Sequence, residues 1–207
     1  MYNPAHFAVS DMRAVHGFIA ENVFATFAGQ VGGAIQFAYA PVVLDSEPAP
    51  LGRVRFHLAR ANPLAAIEEG AQLKLSFLGA HVYVSPDWYE TPDQVPTWNY
   101  VAAEGSGRVR RLNDAGLKKL LSDLSIQEEK VLAPKPPWNL ARLSEGRFEQ
   151  LLPSIIGFEL AFETLAGKTK LSQNRAKADA MGVIAALEAR GDGASCAVAA
   201  AMRKIPR

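Results

Sequence analysis

The first half of the chain is written in short runs that alternate apolar and polar side chains, and helical spacing takes over in the second half. Behind Ser10 and Asp11, the residues Met12, Val15, Phe18 and Ile19 fall on one helical face. Residues 23–27 are β-branched and aromatic, Gly29 to Gly33 signal a turn, and residues 34–44 read as a second strand. A Pro-rich connection over 45–50 leads to a third strand at 52–59, and a short helix is predicted to start at Asn62-Pro63. Residues 73–78 and 81–85 read as a fourth and fifth strand across a tight turn at Gly79. A long strand follows over 98–112, bent at Gly105 and Gly107. Many short strands joined by tight turns predict a barrel rather than alternating β-α units.

After Asn113 the period changes. Leu117, Leu120, Leu121 and Leu124 mark one side of a helix over 114–124, and Pro134, Pro136 and Pro137 lie in a linker over 126–137. Phe148, Leu151 and Leu152 form a helical turn up to Pro153, and residues 157–165 alternate as a half-buried strand. A helix is predicted from Ser172 to about residue 190, with Gly191-Asp192-Gly193 before a short Ala-rich terminal helix. The predicted class is therefore α+β, a β-barrel with helical additions. Residues 1–125 form its core, and 126–207 are an extension packed on the same barrel, within a single domain.

Composition narrows the function classes. Of 207 residues, 49% are hydrophobic and 21% charged, which suits a globular core and excludes a disordered chain. A single cysteine, Cys196, excludes an internal disulfide and any multi-Cys metal site. The net charge of +1 confines any nucleic-acid contact to a local patch. No apolar run approaches the roughly 20 residues of a membrane span, and no secretory signal is read, so a cytoplasmic location is expected.

The third strand, Gly52 to Arg60, carries the densest candidate chemistry. Alternation sends Val54, Phe56 and Leu58 to one face and Arg53, Arg55 and His57 to the other. Either acidic neighbours such as Glu68 offset these cations, or an anionic ligand does. Arg60 stands just before the predicted helix start, with Asn62 as N-cap and Pro63 at the first position. A cation there reads as half of a phosphate cradle or as the partner of Glu68 or Glu69. A second basic group, Lys168, Lys170 and Arg175, leads into a helix expected to be capped by Ser172, with no carboxylate between Glu163 and Asp179. A ligand anion and plain solvent exposure both explain it. Tyr83, Trp88 and Tyr89, with Pro96-Thr97-Trp98-Asn99-Tyr100, either line a pocket for a flat polar ligand or plug the barrel mouth.

Nucleotide-binding loops, a nucleophile elbow and metal-ligand spacings are absent from the sequence. His6, His16, His57 and His81 read as packed or capped histidines, Cys196 as a small buried hydrophobe, and no catalytic residue is assigned.

Several strings, taken together, resemble the PaiB family of FMN-binding negative transcriptional regulators. They are Met1-Tyr2-Asn3-Pro4 with Phe7, Phe24-Ala25-Thr26 and His57-Leu58-Ala59-Arg60-Ala61-Asn62-Pro63. Gly79 to Pro86 with Trp88-Tyr89, Val95-Pro96-Thr97-Trp98-Asn99-Tyr100, Gly157-Phe158-Glu159 and Gly167 to Arg175 continue the set in order. The resemblance implies an FMN-binding split barrel of the pyridoxamine-phosphate-oxidase type, paired as a homodimer with FMN at the interface. It implies cofactor contacts from Arg55, His57, Arg60 and Asn62 near the phosphate. Lys170, Ser172, Gln173 and Arg175 would approach the same ligand, with Trp98 and Asn99 along the isoalloxazine or ribityl region. The chain departs from the family on its second strand, where Phe37-Ala38-Tyr39-Ala40-Pro41 stands in place of a His-Leu-Pro string.

Two functions follow from the resemblance. One is an FMN-binding negative regulator of transcription, with Arg110, Arg111, Arg203, Lys204 and Arg207 as candidate DNA-phosphate contacts, although no DNA-reading element is present. The other is a flavin-dependent oxidoreductase acting on a small molecule.

Overall fold

The computed structural model describes residues 1–206. Its strands are β1 (Ala8–Val9), β2 (Phe24–Val31), β3 (Ala34–Pro41), β4 (Val43–Asp45), β5 (Arg53–Ala59), β6 (Gln72–Val84), β7 (Thr97–Arg111), β8 (Ile155–Ala161) and β9 (Thr164–Lys170). The helices are α1 (Met12–Glu21), α2 (Asp114–Lys130), α3 (Arg147–Leu151), α4 (Lys177–Arg190) and α5 (Gly193–Arg203). The strands join in the order β3-β2-β6-β7-β8-β5-β4, while β9 pairs with β7 and with the short β1. Each strand pair with a described register is antiparallel.

The chain divides into two compact units that interleave in sequence. The first comprises residues 1–15, 78–103 and 166–207, and the second residues 16–77 and 104–165. In the second unit the predicted alternation of β5 is realised: Val54, Phe56 and Leu58 are buried, and Phe56 lies opposite Phe158 of β8. The Phe56 ring sits 4.3 Å from Phe27 and 5.3 Å from Phe158, so three strands meet in one aromatic core. Gly107 of β7 has no room for a Cβ, which would strike the Ala161 carbonyl. The leucine stripe of α2, Leu117, Leu120 and Leu124, covers Val43.

The first unit is built on α4 and α5. Val183, Ile184 and Leu187 of α4 and Val198, Ala199 and Met202 of α5 pack with Val82 and Val84 of β6 and with Leu171. Gly182 lets α4 approach the Trp88 carbonyl, where a Cβ would overlap it.

Several boundaries differ from the sequence expectation: β2 runs on to Val31, the strand read over 34–44 splits into β3 and β4, and α2 extends to Lys130, into the segment read as a linker. Gly79 does not turn the chain; β6 runs unbroken from Gln72 to Val84. The segment read as one strand over 157–165 is two, β8 and β9, broken at Phe162 and Glu163. The helix after Asn62 is a single 3-10 turn, Pro63–Ala66. Ser172 is not a helix cap: it lies at φ 62°, and α4 begins at Lys177 with Asp179 in its first turn.

Candidate functional site

The first unit gathers three cations, none of them in a salt bridge among the described residues, although Arg175 lies near enough to Asp179 to help lower that carboxyl's pKa. Strand β9 places Lys168 and Lys170 two residues apart, on one face. Lys168 is buried; its Nζ donates to the Tyr2 carbonyl at 2.9 Å and lies 5.3 Å from the Tyr100 ring centroid and 5.5 Å from that of Tyr2. Aromatic faces, rather than an anion, hold this charge. Lys170 donates to the Trp98 carbonyl at 2.9 Å and to the Thr97 hydroxyl. Burial depresses its pKa, and the neighbouring charges of Lys168 and Arg175 push in the same direction. Arg175 donates to the Gln94 side chain, and its guanidinium lies 5.1 Å from the Tyr89 ring centroid. The nearby carboxylate, Asp179, is occupied by the amides of Glu90 and Thr91 and by the Thr91 hydroxyl, each at 2.8–2.9 Å.

The turn after β9 is fixed from both ends. The Gln173 side chain accepts from the Leu171 amide at 2.6 Å and donates to the Thr169 hydroxyl at 3.1 Å. Ser172, strained into the left-handed region, exchanges hydrogen bonds with the buried Asn99 amide at 3.0 and 3.3 Å. That lock joins the turn to β7. Immediately before Asn99, Trp98 is 53% exposed, with the Tyr83 ring edge-on at 6.2 Å and the His81 ring at 6.3 Å. Beneath Arg175, the buried Tyr89 hydroxyl has no partner among the described residues, and neither does the Asn3 carbonyl oxygen. An array of cations beside an exposed aromatic ledge suits an anion joined to a flat ring.

The four candidates on and just after the third strand belong to the second unit and take separate environments. Arg55 is buried and bonds Asp45 at 2.8 and 3.1 Å and Asp123 at 2.8 Å. Burial opposes the ionisation of Asp45, yet bonds from Arg55 and Arg53 outweigh it and hold the carboxyl below its ordinary range. Asp123 behaves alike, with Lys119 and Arg55 outweighing burial. The offsetting carboxylates are thus Asp45, Asp123 and Glu159, not Glu68. His57 borders an apolar cavity. Arg60 donates from Nε to the Pro153 carbonyl at 2.6 Å and borders a cavity of about 560 Å³ shared with Arg111, Lys118, Asp114 and Glu149. Asn62 caps its 3-10 turn, accepting from the Leu64 amide at 2.9 Å.

Residues 1–164 match the model of the family described as "Putative FMN-binding domain". Over 189 residues the chain is 30% identical to protease synthase and sporulation protein PAI 2 of Bacillus subtilis, covering 91% of this chain and 89% of that one. The chain belongs to the PaiB family. It is equally similar, 30% over 205 residues, to an uncharacterized protein of Emericella nidulans, covering 82% of each. Among solved structures it resembles an FAD- and heme-binding protein of Mycobacterium smegmatis, with TM-score 0.57, 14% identity and coverage of 79% of this chain and 73% of that one. A flavocytochrome of Azotobacter vinelandii gives TM-score 0.57 at 15% identity, covering 79% and 69%. The fold is the split barrel shared by such proteins.

Within this PaiB-family chain, the structure brings Trp98, Asn99, Lys170, Ser172, Gln173 and Arg175 into one cluster and gives Arg55, His57, Arg60 and Asn62 distinct tasks. Gln94, absent from the sequence reading, and Tyr2, which entered it only within a family string, hold Arg175 and Lys168. Neither carried a local signal; a neutral Gln and a terminal Tyr gain meaning only once the cations they hold are placed. Of the basic DNA candidates, Arg111 binds the Ala65 and Ile67 carbonyls and Arg203 chelates Glu188, while Arg207 lies outside the described residues. Among the described residues, no helix is long and apolar enough to cross a membrane.

Proposed function

We propose that this chain binds FMN through its first unit and acts, as a homodimer, as an FMN-binding negative regulator of transcription. One observation carries the cofactor assignment. Lys168, Lys170 and Arg175 stand together with no salt bridge among the described residues and only Asp179 near Arg175, and the depressed pKa of Lys170 marks a place that an anion would relieve. The FMN phosphate supplies that anion. Lys170 and Arg175 would hold it, and the exposed Trp98 would face the isoalloxazine. The orphaned Tyr89 hydroxyl fits the same assignment, as a donor waiting for an oxygen-rich ligand. Bound FMN would supply reversible hydride and electron chemistry. The chain's residues would hold the phosphate, orient the ring and exclude water from its covered face.

An exposed apolar row supports pairing of two copies. Ile35, Phe37 and Tyr39 alternate along β3, the terminal strand of the main order, and all stand 60–69% exposed. Singly exposed hydrophobics are ordinary, whereas a contiguous row marks an interface. Support for the regulatory role comes from family membership and from the sporulation relative.

Titration of the purified chain with FMN, followed by absorption and flavin fluorescence, tests the cofactor reading. Saturation near one FMN per chain is expected, with Lys170→Gln and Arg175→Gln each weakening binding about ten-fold or more, as for loss of a charge-assisted bond. Arg60→Ala serves as the comparison for the other phosphate candidate; a larger loss there would move the phosphate to the second unit. No saturable FMN binding would overturn the reading. DNA selected from a random duplex library, with affinity that falls steeply as salt rises, is expected of a regulator. Rapid NAD(P)H-dependent flavin reduction without DNA binding would replace the regulator with an oxidoreductase.

A further inference from the structure

The second unit contains a cavity of about 490 Å³ that the flavin reading does not use. It is bounded by Leu121 and Leu124 of α2, Ile155 of β8, and Trp138, Leu143 and Phe148 from the connection that follows α2. Its size lies within the range of about 300–1,000 Å³ typical of small-molecule sites. Hydrocarbon lines it almost throughout, and several of these side chains are only half-buried, so the folded chain leaves apolar surface there without a protein partner.

Four polar side chains also border the cavity, and three have tasks elsewhere. The Ser125 hydroxyl donates to the Leu121 carbonyl at 2.8 Å. Glu129 is tied to Lys135 and accepts from the Trp138 amide at 2.9 Å. Glu128 accepts from the Gln127 side chain at 2.9 Å. His57 differs. Its Nδ1 is buried with no partner among the described residues, which leaves Nε2 as the ring's route to a hydrogen bond. Burial also lowers its pKa, which favours the neutral imidazole, whose Nε2 donates or accepts according to the tautomer.

Charge then selects among ligands. The lining holds two carboxylates, Glu129 paired with Lys135 and Glu128 without a lysine or arginine among the described residues, and no cation of its own, so it favours a neutral ligand over fatty acids, aromatic carboxylates and phosphates. We propose that this cavity is a binding site for a small, uncharged, mainly hydrocarbon molecule carrying one hydrogen-bonding group, such as an indole or aromatic alcohol, which His57 recognises. In a PaiB-family protein, such a site would give the chain an effector besides its flavin. The inference stands whether or not FMN binds in the first unit.

The test uses the full chain and the neutral fluorophore N-phenyl-1-naphthylamine. Saturable binding of one probe per chain is expected, displaced by indole-3-ethanol and at least ten-fold less well by indole-3-acetate. Leu143→Trp, which fills the cavity from a half-buried position in the connection, should abolish the signal. His57→Leu should weaken competition by indole-3-ethanol about ten-fold, the loss expected for one hydrogen bond to a buried group. It should leave the probe, which relies on hydrocarbon contact, nearly unaffected. Non-saturable fluorescence, or a signal indifferent to Leu143→Trp, would overturn the site. Equal competition by alcohol and carboxylate would overturn the ligand class. An unchanged alcohol affinity in His57→Leu would overturn the role of the histidine. FMN titration of Leu143→Trp should retain the wild-type midpoint, so the two sites can fail separately.

Discussion

Replacing Arg55 by Met separates a structural role from a cofactor role. Arg55 makes three bonds to two carboxylates with its side chain 8% exposed, whereas Asp45 and Asp123 remain 29% and 24% exposed. Removing one partner of a buried ion pair costs about 3–5 kcal/mol when the remaining charge is left uncompensated. Here each carboxylate keeps a second cation, Arg53 at 3.1 Å for Asp45 and Lys119 at 2.9 Å for Asp123. The residual charges are therefore partly offset, and Met refills most of the volume. The expected loss is about 2–3 kcal/mol. In urea, with a slope of about 2 kcal/mol/M, the midpoint should fall by about 1–1.5 M at pH 7 without a change of slope. The pH dependence gives a second reading. Both carboxyls are held below their ordinary range, so their contribution is complete above the unfolded carboxylate pKa and is lost as pH falls through the lower folded values. The variant should therefore lose stability less steeply than the wild type between about pH 5 and pH 2. A loss below about 0.5 kcal/mol at pH 7 would refute the cage. A stable variant that no longer bound FMN would return Arg55 to the cofactor.

Three further outcomes are expected. Gly182→Ala should lower thermal stability, because its methyl group would meet the Trp88 carbonyl in a close helix contact; an unchanged Tm would show that α4 shifts freely. Asp179→Ala frees the amides of Glu90 and Thr91, so hydrogen exchange there should accelerate while exchange in β5 and β8 stays slow. Phe37→Asp combined with Tyr39→Lys should convert the proposed dimer to a monomer in light scattering at fixed concentration, and a dimer that persists would remove β3 from the interface.

Strands were legible where the signal was local. β5 buries Val54, Phe56 and Leu58 as its alternation predicts, β7 spans nearly the range read for it, and α2 begins where Asn113 and the leucine stripe predict. Glycine misled at residue 79, where β6 runs on through a residue that merely permits a turn. The break at Phe162 and Glu163 carried no Gly or Pro to announce it. Ser172 imitated a cap, but the basic residues around it argue against a helix start, and Asp179 marked the true first turn. The basic cluster itself was readable from spacing. What was not readable was which cations already had partners. Asp45 and Asp123 reach Arg55 from another strand and from a helix, and no pattern within a single element encodes that meeting. The cavity beside His57 was hidden for a related reason: a Pro-rich connection reads as a linker until its Trp and Leu are seen facing inward.

Holding Lys168 by aromatic faces and a carbonyl has a consequence for how the first unit responds to its surroundings. A cation neutralised by a carboxylate changes its effective strength whenever that carboxylate titrates. Ring quadrupoles and peptide dipoles do not titrate. The positive potential at β9 is therefore built into the protein across the acid range in which the cage around Arg55 loosens. At Lys168 itself, ionic strength rather than the titration of a paired carboxylate governs how strongly the charge attracts an anion.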